Sequence, residues 1–253
     1  MTNSAARDFG VQSYCFRHFK DNAQVAEMTK KIGVKKIELC AVHADFDDVD
    51  AFKRILDIYH QADVQVVSIG VQTFLGDVGR ERKWFQCAKA AGAKHISAHF
   101  TVATFQEAVP AAARLCDQFN IRIGVHCHGG YLFGGSPDVL EHLLKLGGPM
   151  IGLNLDTAWC MQIGPYGDPI KWVRERFKGK IFGVHYKDFV FDRRGQWSDT
   201  VVGEGNLDLP AFVAALEETG FDGMAVIEYE ADPENPVPAL TDCVNRMRAL
   251  PRR

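Results

Sequence analysis

The sequence predicts a single-domain α/β protein in which eight parallel strands alternate with eight helices, the (β/α)8 or TIM barrel. Short β-branched runs alternate with longer amphipathic stretches along the 253 residues, and eight such runs are present. The average unit is therefore about 32 residues, which fits a strand, a helix and two short loops. No linker or low-complexity segment interrupts the chain, so we expect one domain over residues 1–253. An open, doubly wound sheet is the alternative, but no Gly-x-Gly-x-x-Gly motif follows the first run.

The predicted elements follow one another in a regular order. The eight strands are the apolar runs at 9–14, 35–40, 64–70, 94–100, 121–128, 151–156, 181–187 and 223–230. The helices are the segments with apolar residues at helical spacing, at 22–33, 49–62, 81–93, 105–119, 137–147, 168–179, 209–220 and 236–250. Several of these helices stop at a glycine, as at Gly33 and Gly147. Longer, aromatic-rich connections follow strands five, six and seven, at the end of a barrel where active sites are built.

Composition and charge exclude several classes of protein. With 29 Lys and Arg against 32 Asp and Glu, the net charge is −3, and no positive field attracts nucleic acid or anionic lipid. No stretch approaches about 18 consecutive apolar residues, and the first ten residues lack the pattern of a secretory signal. The seven cysteines are scattered without a Cys-x-x-Cys pair, which is typical of buried, reduced thiols. We therefore expect a cytoplasmic protein that binds neither nucleic acid nor membrane.

Ionisable residues stand near the carboxyl ends of the predicted strands, where they need an explanation. Barrel strands are buried on both faces and are normally apolar. The residues are Glu38, His99, His126, His128, Asp156, His185, Lys187, Glu228 and Glu230. Side chains alternate along a strand, so Asn154 and Asp156 share one face and the neighbouring leucines take the other. The same alternation on the other strands directs the polar residues toward the barrel axis.

Four of these residues belong to the adjacent strands five to eight, and they are expected to converge. They are His126, Asp156, His185 and Glu228. Burying two carboxylates without a cation is unfavourable, and two imidazoles with two carboxylates suit Mn²⁺, Co²⁺, Zn²⁺, Fe²⁺ or Mg²⁺. The sequence therefore predicts one divalent metal site. The alternative is that each histidine is a hydrogen-bonded core residue and each carboxylate pairs with Lys187 or an arginine.

The chain resembles the sugar phosphate isomerase/epimerase superfamily, the xylose isomerase-like TIM barrels, over essentially its full length. The resemblance lies in the stretches GVHCHGG, GLNLDTAW, GVHYKD with the later VVGEGNLDL, and MAVIEYEADP. It implies one divalent metal, commonly manganese, at the ends of strands five to eight. Carried over by position, its ligands are His126, Asp156, His185 and Glu228.

Two departures from the superfamily pattern refine this resemblance. Sugar epimerases of the superfamily place Glu at the strand-five position, where this sequence has His126, so a symmetric mechanism with two carboxylates is in doubt. The histidines of this segment and the ending VIEYEADP look like the inosose dehydratase branch and related enzymes that eliminate from 3-keto sugars. Endonuclease IV and other DNA-repair relatives carry a further metal-binding His where this sequence has Trp159. The resemblance therefore favours carbohydrate chemistry over phosphodiester cleavage.

The reaction we expect is abstraction of a proton next to the carbonyl of a keto-sugar or keto-polyol, assisted by a metal that stabilises the enediolate. β-Elimination, by a dehydratase or a glycoside-cleaving lyase, is preferred. Isomerisation or epimerisation through the same enediolate is one alternative, and a non-catalytic barrel subunit of a complex is another. The expected partner is a small carbohydrate, and both a homo-oligomer and a hetero-complex stay open.

Roles can be assigned to the individual residues on the same basis. His128 or Glu228 is the expected base, and Lys187 is expected to bind a substrate oxygen or protonate a leaving group. The residues expected to contact substrate are Glu38, His99, Trp159, Lys187, Glu204 and Glu230. Aromatic residues of the loops, which are Tyr131, Phe133, Trp159, Phe189 and Trp197, can stack on a sugar ring or on one another.

Overall fold

The computed structural model describes residues 4–130 and 132–251, which form a closed barrel of eight parallel strands surrounded by helices. The strands are β1 (Gly10–Gln12), β2 (Lys36–Leu39), β3 (Gln65–Phe74), β4 (His95–Phe100), β5 (Arg122–His126), β6 (Ile151–Asp156), β7 (Ile181–Tyr186), β8 (Asp188–Phe191), β9 (Trp197–Thr200) and β10 (Met224–Ile227). Strands β1 to β7 and β10 make the barrel, which closes where β1 pairs with β10 on one side and β2 on the other. The predicted (β/α)8 barrel is therefore confirmed.

The helices lie outside the barrel and begin at the positions that the sequence marks. They are α1 (Asn22–Lys31), α2 (Val49–Gln61), α3 (Val78–Ala90), α4 (Phe105–Phe119), α5 (Pro137–Gly147), α6 (Thr157–Gln162), α7 (Pro169–Lys171, continued by a π-helical turn at Trp172–Arg176), α8 (Leu209–Glu218) and α9 (Val237–Ala249). Aspartate side chains cap many of them by accepting backbone N–H bonds, namely Asp21, Asp48, Asp77, Asp156, Asp168 and Asp208. The short helix α6 lies in a segment where the sequence predicts a loop after the sixth strand.

Several strands end earlier than predicted, and this changes where the polar residues stand. The ladder between β5 and β6 ends at the pair His126 and Asn154, and β10 ends at Ile227. His128 and Glu230 therefore lie on the loops that follow the strands, where the backbone no longer has to stay extended. Residues within the strands keep the predicted alternation, in which every second side chain points toward the barrel axis. Residues on the loops are not bound by this alternation and can approach the mouth of the barrel from above.

The connection after β7 contains an antiparallel hairpin that the sequence analysis did not predict. Strands β8 and β9 pair from Asp188 with Thr200 to Phe191 with Trp197. The Asp188 carboxylate accepts N–H bonds from the backbone of Gly203, Gly205 and Leu207, which ties the end of the connection to its beginning. This hairpin places aromatic and acidic side chains beside the barrel mouth.

The interior of the barrel is unusually polar below the mouth. His95 and Asn154 lie side by side there, both buried, and they face Gly124 and Gly183. A Cβ atom at Gly183 would overlap the Asn154 amide oxygen and lie 2.8 Å from the His95 ring. Glycine at this position therefore makes room for two polar side chains where most barrels pack aliphatic layers.

Two further features bear on the expectations about compartment and partners. All seven cysteines are free thiols and all are buried. Within the part of the chain that the structure describes, no helix combines the length and the apolar character needed to cross a lipid bilayer.

Candidate metal centre and active site

The four residues predicted to hold a metal lie together at the carboxyl-terminal mouth of the barrel. His126, Asp156 and His185 are at the ends of β5, β6 and β7, and Glu228 directly follows β10. Each offers one donor atom, and the four atoms lie within 4.8 Å of one another. Nε2 of His126 is 3.6 Å from Oδ2 of Asp156, and Nδ1 of His185 is 3.1 Å from Oε2 of Glu228. Parallel strands of a closed barrel bring these ends into one small volume.

The donor atoms of this cluster fit a divalent cation. Both ring nitrogens of His126 and the Oδ2 atom of Asp156 are buried and have no hydrogen-bond partner. An unpaired buried polar atom is unfavourable by about 1–3 kcal/mol, so Nε2 of His126 and Oδ2 of Asp156, which are 3.6 Å apart, call for a common partner. Two nitrogens and two carboxylate oxygens are ligands that Mn²⁺, Zn²⁺, Co²⁺ and Fe²⁺ accept. The donor set of the cluster therefore fits a divalent metal ion.

The protonation of the cluster in the metal-free chain points the same way. Burial would lower the pKa of His185, but the carboxylates of Glu38 and Glu228 outweigh it and raise that pKa to about 10. Burial raises the pKa of Asp156 to about 6, and it depresses the pKa of His126 well below the ordinary value. For Glu228, the neighbouring Lys187 and His185 overcome burial and lower the pKa. The carboxylates thus attract positive charge to this point even without a metal.

Glu38 lies beneath the cluster and contacts one of its histidines. It is fully buried, and its Oε1 atom is 2.9 Å from Nε2 of His185. The Gln12 amide donates to the same oxygen at 2.5 Å, and the Ser97 hydroxyl donates to Oε2 at 2.6 Å. Glu38 does not line the cavity described next, and its predicted contact with substrate stays a prediction. The residue is placed to orient His185.

A cavity of about 410 Å³ opens from the cluster to the barrel mouth. His126 and Glu228 form part of its wall, and the predicted substrate residues His99, Trp159 and Glu230 form another part. Burial and the neighbouring His126 lower the pKa of His99 to about 3, so this ring is neutral near pH 7. The cavity therefore joins the metal-type donors to neutral and aromatic surfaces suited to a small polar ligand.

His128 also lines this cavity and stands on an aromatic support. Its ring stacks on Trp159 with centroids 4.0 Å apart and planes inclined by 23°. Its Nδ1 atom is 3.3 Å from the carbonyl oxygen of Gly129. Because a carbonyl oxygen can only accept, this contact assigns the proton to Nδ1 and leaves a lone pair on Nε2. The ring is thus held in a tautomer that can accept a proton.

Lys187 is buried beside the cluster among several carboxylates. It is 1% exposed and pairs with Glu230, with Asp199 at 3.6 Å and with Glu228 at 3.9 Å. Burial would lower the pKa of Lys187, but Glu228 and Asp156 raise it above the ordinary value. The lysine therefore stays charged and serves as an ion-pair partner of these carboxylates.

Asp199 is a residue of this site that the sequence analysis missed. It lies on β9 of the unpredicted hairpin, so no pattern in the sequence pointed to it. Burial raises the pKa of Asp199 to about 7, although Lys187 partly offsets the effect. Its Oδ1 atom is buried without a partner.

Two other expectations meet a different arrangement. Glu204 pairs with Arg246 of α9 and does not line the cavity at the metal-type cluster. Among the loop aromatics, Phe133 packs against Phe105, with ring centroids 5.3 Å apart. Tyr131 lies outside the described residues.

The comparison with protein families agrees with this geometry. A model of the xylose isomerase-like TIM barrel matches residues 26–250. The chain belongs to this family. Carbohydrate-modifying enzymes are among its relatives, as the resemblance in the sequence implied.

Two curated relatives match part of this family member. The rhizopine catabolism protein MocC of Rhizobium meliloti is 30% identical over 135 residues, which is 48% of this chain and 40% of the relative. The inosose dehydratase of Geobacillus kaustophilus is 28% identical over 137 residues, which is 48% of this chain and 43% of that enzyme. The matched segments thus span less than half the length of either relative.

Solved structures share the fold at low sequence identity. The 3-keto-D-glucoside 4-epimerase YcjR of E. coli has a TM-score of 0.73 at 14% identity, covering 95% of this chain and 98% of that one. The IOLI protein with a bound zinc atom has a TM-score of 0.68 at 16% identity, covering 94% and 95%. A xylose isomerase-like protein of Mycobacterium smegmatis in complex with magnesium has a TM-score of 0.72 at 12% identity, covering 96% and 100%.

Proposed function

We propose that this protein is a divalent-metal-dependent enzyme that removes a proton next to the carbonyl of a keto-sugar or keto-polyol and then eliminates a β-substituent. The observation that carries the proposal is the buried cluster of His126, Asp156, His185 and Glu228, which opens into a cavity also lined by His128. The inosose dehydratase among the relatives supports the lyase outcome.

The four clustered residues would hold the ion, and the ion would supply a Lewis acid that stabilises negative charge on the substrate oxygen. Mn²⁺ is the proposed metal, since the mixed nitrogen and oxygen donors suit it. Zinc and magnesium, which two solved relatives carry, and Co²⁺ or Fe²⁺ are alternatives that elemental analysis distinguishes.

His128 is the proposed base, with Glu228 as the alternative. The His128 tautomer leaves Nε2 free to accept a proton, and stacking on Trp159 fixes the plane of the ring. A neutral imidazole accepts a proton readily, whereas a carboxylate that binds a metal is a weaker base. His99, Trp159, Lys187 and Glu230 are proposed to contact the substrate.

The chain offers a second fate for the same intermediate, which is isomerisation or epimerisation. Glu228 and His128 both line the cavity, so one group can remove the proton and the other can return it. A non-catalytic barrel is a third reading, and it requires the metal-type cluster to serve no reaction.

A mass-resolved assay in D₂O tests these outcomes. The metal-loaded protein is incubated with 3-keto-glucosides, inososes and simple ketohexoses. Loss of water or of the aglycone supports elimination, and deuterium at a substrate carbon without that loss supports isomerisation or epimerisation. A folded protein that binds no divalent metal and exchanges no deuterium would contradict both enzymatic readings.

Substitution of Glu38 tests how the metal centre is held. The Glu38 carboxylate faces Nε2 of His185, so we expect it to hold the proton there and leave Nδ1 for the metal. Partners of this kind typically change metal affinity by about 10–100-fold. We expect roughly tenfold weaker binding for Glu38→Gln and roughly 100-fold for Glu38→Ala, measured by competition with a chromogenic chelator.

A matched control for Glu38 is another buried glutamate outside the site. Glu81 is 1% exposed, and its carboxylate accepts N–H bonds from Leu75 and Gly76. Glu81→Gln should leave metal affinity unchanged. Unchanged affinity in both Glu38 variants would show that His185 needs no such partner.

The compartment and domain organisation complete the proposal. Seven free, buried thiols suit a reducing compartment, and we place the enzyme in the cytoplasm on this ground. We propose that residues 1–253 form one domain.

A further inference from the structure

A second cavity lies beside the first at the barrel mouth. Its volume is about 340 Å³, and Trp159 and Glu230 line both cavities. The remaining walls come mainly from Lys187 and from the β8–β9 hairpin, including Phe189, Trp197 and Asp199. The two cavities are therefore neighbours that share Trp159 and Glu230 in their walls.

The aromatic walls of this second cavity form an ordered group. Phe189 and Trp197 stack with centroids 4.6 Å apart and planes inclined by 15°. Trp159 meets both edge-on, at 5.1 Å from Phe189 and 4.9 Å from Trp197. Trp197 nevertheless remains 45% exposed, which is high for an aromatic residue in a packed cluster. An aromatic surface of this kind binds rings that have a flat apolar face.

The second cavity contains both hydrogen-bond donors and acceptors. Lys187 and Arg17 are donors, and the Glu230 carboxylate is an acceptor. The Asp199 side chain is only 9% exposed, and its Oδ1 atom has no hydrogen-bond partner. Burial raises the pKa of this carboxyl group to about 7, so a protonated fraction is present near neutral pH. A neutral ligand with hydroxyl groups suits these donors and acceptors.

We propose that the second cavity binds the ring of the leaving group, so that the substrate is a keto-glycoside carrying a second ring. This inference rests on the proposed function and names its substrate class. The keto ring occupies the first cavity beside the metal-type cluster, and the glycosidic oxygen lies at the shared wall. The leaving ring stacks on the face presented by Trp197.

Asp199 has a defined part in the elimination. The base takes the proton from the carbon next to the carbonyl, and the C–H electron pair forms the new C=C bond. The C–O bond to the leaving group breaks, its electron pair stays on the oxygen, and protonated Asp199 donates a proton to that oxygen. Atoms and charge balance without an oxidant or reductant, and solvent returns both groups to their starting protonation.

The first test compares substrates with and without a second ring. The probes are the methyl and cyclohexyl 3-keto-β-glucosides and 3-keto-cellobiose, all of which release an alcohol. We expect kcat/KM for the two ring-bearing substrates to exceed that for the methyl glycoside by about tenfold or more. Trp197→Ala should lower this preference about three- to tenfold, while Trp197→Phe should preserve it, because aromatic contacts of this kind contribute about that much.

A control and a binding measurement keep this test independent of turnover. Tyr166 is 73% exposed and lines neither cavity, so Tyr166→Ala should leave the preference unchanged. Calorimetric titration of phenyl β-glucoside into the protein should show weaker binding for Trp197→Ala and unchanged binding for Trp197→Phe. Equal kcat/KM for methyl and ring-bearing substrates, with no effect of Trp197→Ala, would overturn the inference.

Asp199→Asn tests the proton donor. A leaving group that needs a proton, such as the sugar alkoxide of 3-keto-cellobiose, should lose about 100-fold in kcat. A 4-nitrophenyl leaving group, which departs as a stable anion, should be affected less than about threefold. Equal losses for both would remove Asp199 from this role.

Failure of this inference can be distinguished from failure of the proposed function. Elimination from the methyl glycoside without any preference for a second ring would leave the proposed function intact and remove only the second-ring site. Absence of metal binding and of deuterium exchange would instead contradict the proposed function, and the calorimetric titration would still report whether the cavity binds a ring.

Discussion

Asp156→Asn is expected to reduce metal affinity by roughly 100-fold or more and turnover by roughly 1,000-fold. Residues that only support metal ligands already change affinity by about 10–100-fold, so loss of the charge on a ligand itself should reach at least the upper end of that range. Loss of about 4 kcal/mol of charge stabilisation corresponds to about a 1,000-fold slower reaction. Elemental analysis should fall from about one metal per chain toward zero, and kcat should fall in parallel.

The asparagine substitution separates this effect from damage to the fold. Oδ1 of Asp156 accepts the Trp159 N–H at the start of α6, and an asparagine can keep that bond. Asp168 caps α7 in the same way but lies outside the cluster, so Asp168→Asn is the matched control and should retain both metal and activity. Full metal occupancy in Asp156→Asn would remove this residue from the metal site.

Lys187→Met is expected to lower the free energy of unfolding of the metal-free protein by about 3 kcal/mol. Removing one partner of a buried ion pair typically destabilises a protein by about 3–5 kcal/mol, because the opposite charge is left uncompensated. Here three carboxylates face the lysine, and that of Glu230 keeps a side-chain exposure of 30%, so the lower value applies. The melting temperature should fall by roughly 6–12 °C, measured by calorimetry.

The stability lost in Lys187→Met is expected to depend on pH and on bound metal. Lys187 lowers the pKa values of Glu228 and Asp199, so its loss should raise both of them in the folded protein. Folding raises the pKa of Asp199 to about 7 already, and such a carboxyl group becomes more destabilising as pH increases through that range, so the loss should be larger at pH 8 than at pH 5. A bound divalent cation should restore part of the stability, because it binds only the folded state.

An exposed lysine provides the comparison for Lys187. Lys53 pairs with Asp50 on the surface of α2, with side-chain exposures of 57% and 79%. Lys53→Met should change the free energy of unfolding by less than about 0.5 kcal/mol. Equal melting temperatures for the two variants would mean that the carboxylates around Lys187 do not need its charge.

The alternation of apolar runs and amphipathic segments was sufficient to predict the barrel. A strand such as β6 is buried on both faces, and a helix such as α5 packs one face, so each leaves its own period in the sequence. The convergence of His126, Asp156, His185 and Glu228 also followed from sequence, because parallel strands place their carboxyl ends at one mouth. The position of each residue near the carboxyl end of its predicted strand was enough to predict that the four side chains meet.

Residues on the loops could not be placed in this way. The β8–β9 hairpin pairs Asp188 with Thr200, and it brings Asp199 to Lys187 while Glu204 is turned outward to Arg246. No period in the sequence distinguishes these acidic residues, since their positions depend on how the loop pairs with itself and on the bonds of Asp188. The functional side of the loop is therefore a property of tertiary structure.

By itself, the sequence determined the barrel and the four-residue cluster, because strand period and strand order are local and repeat along the chain. Only the tertiary structure decided that Glu38 lies beneath His185 and that a second cavity stands beside the first. Both features depend on contacts between residues that are far apart along the chain. Glu38 and His185, for example, are 147 positions apart. Such contacts are set by the closure of the barrel and by the choice of side-chain rotamers, which leave no local pattern in the sequence.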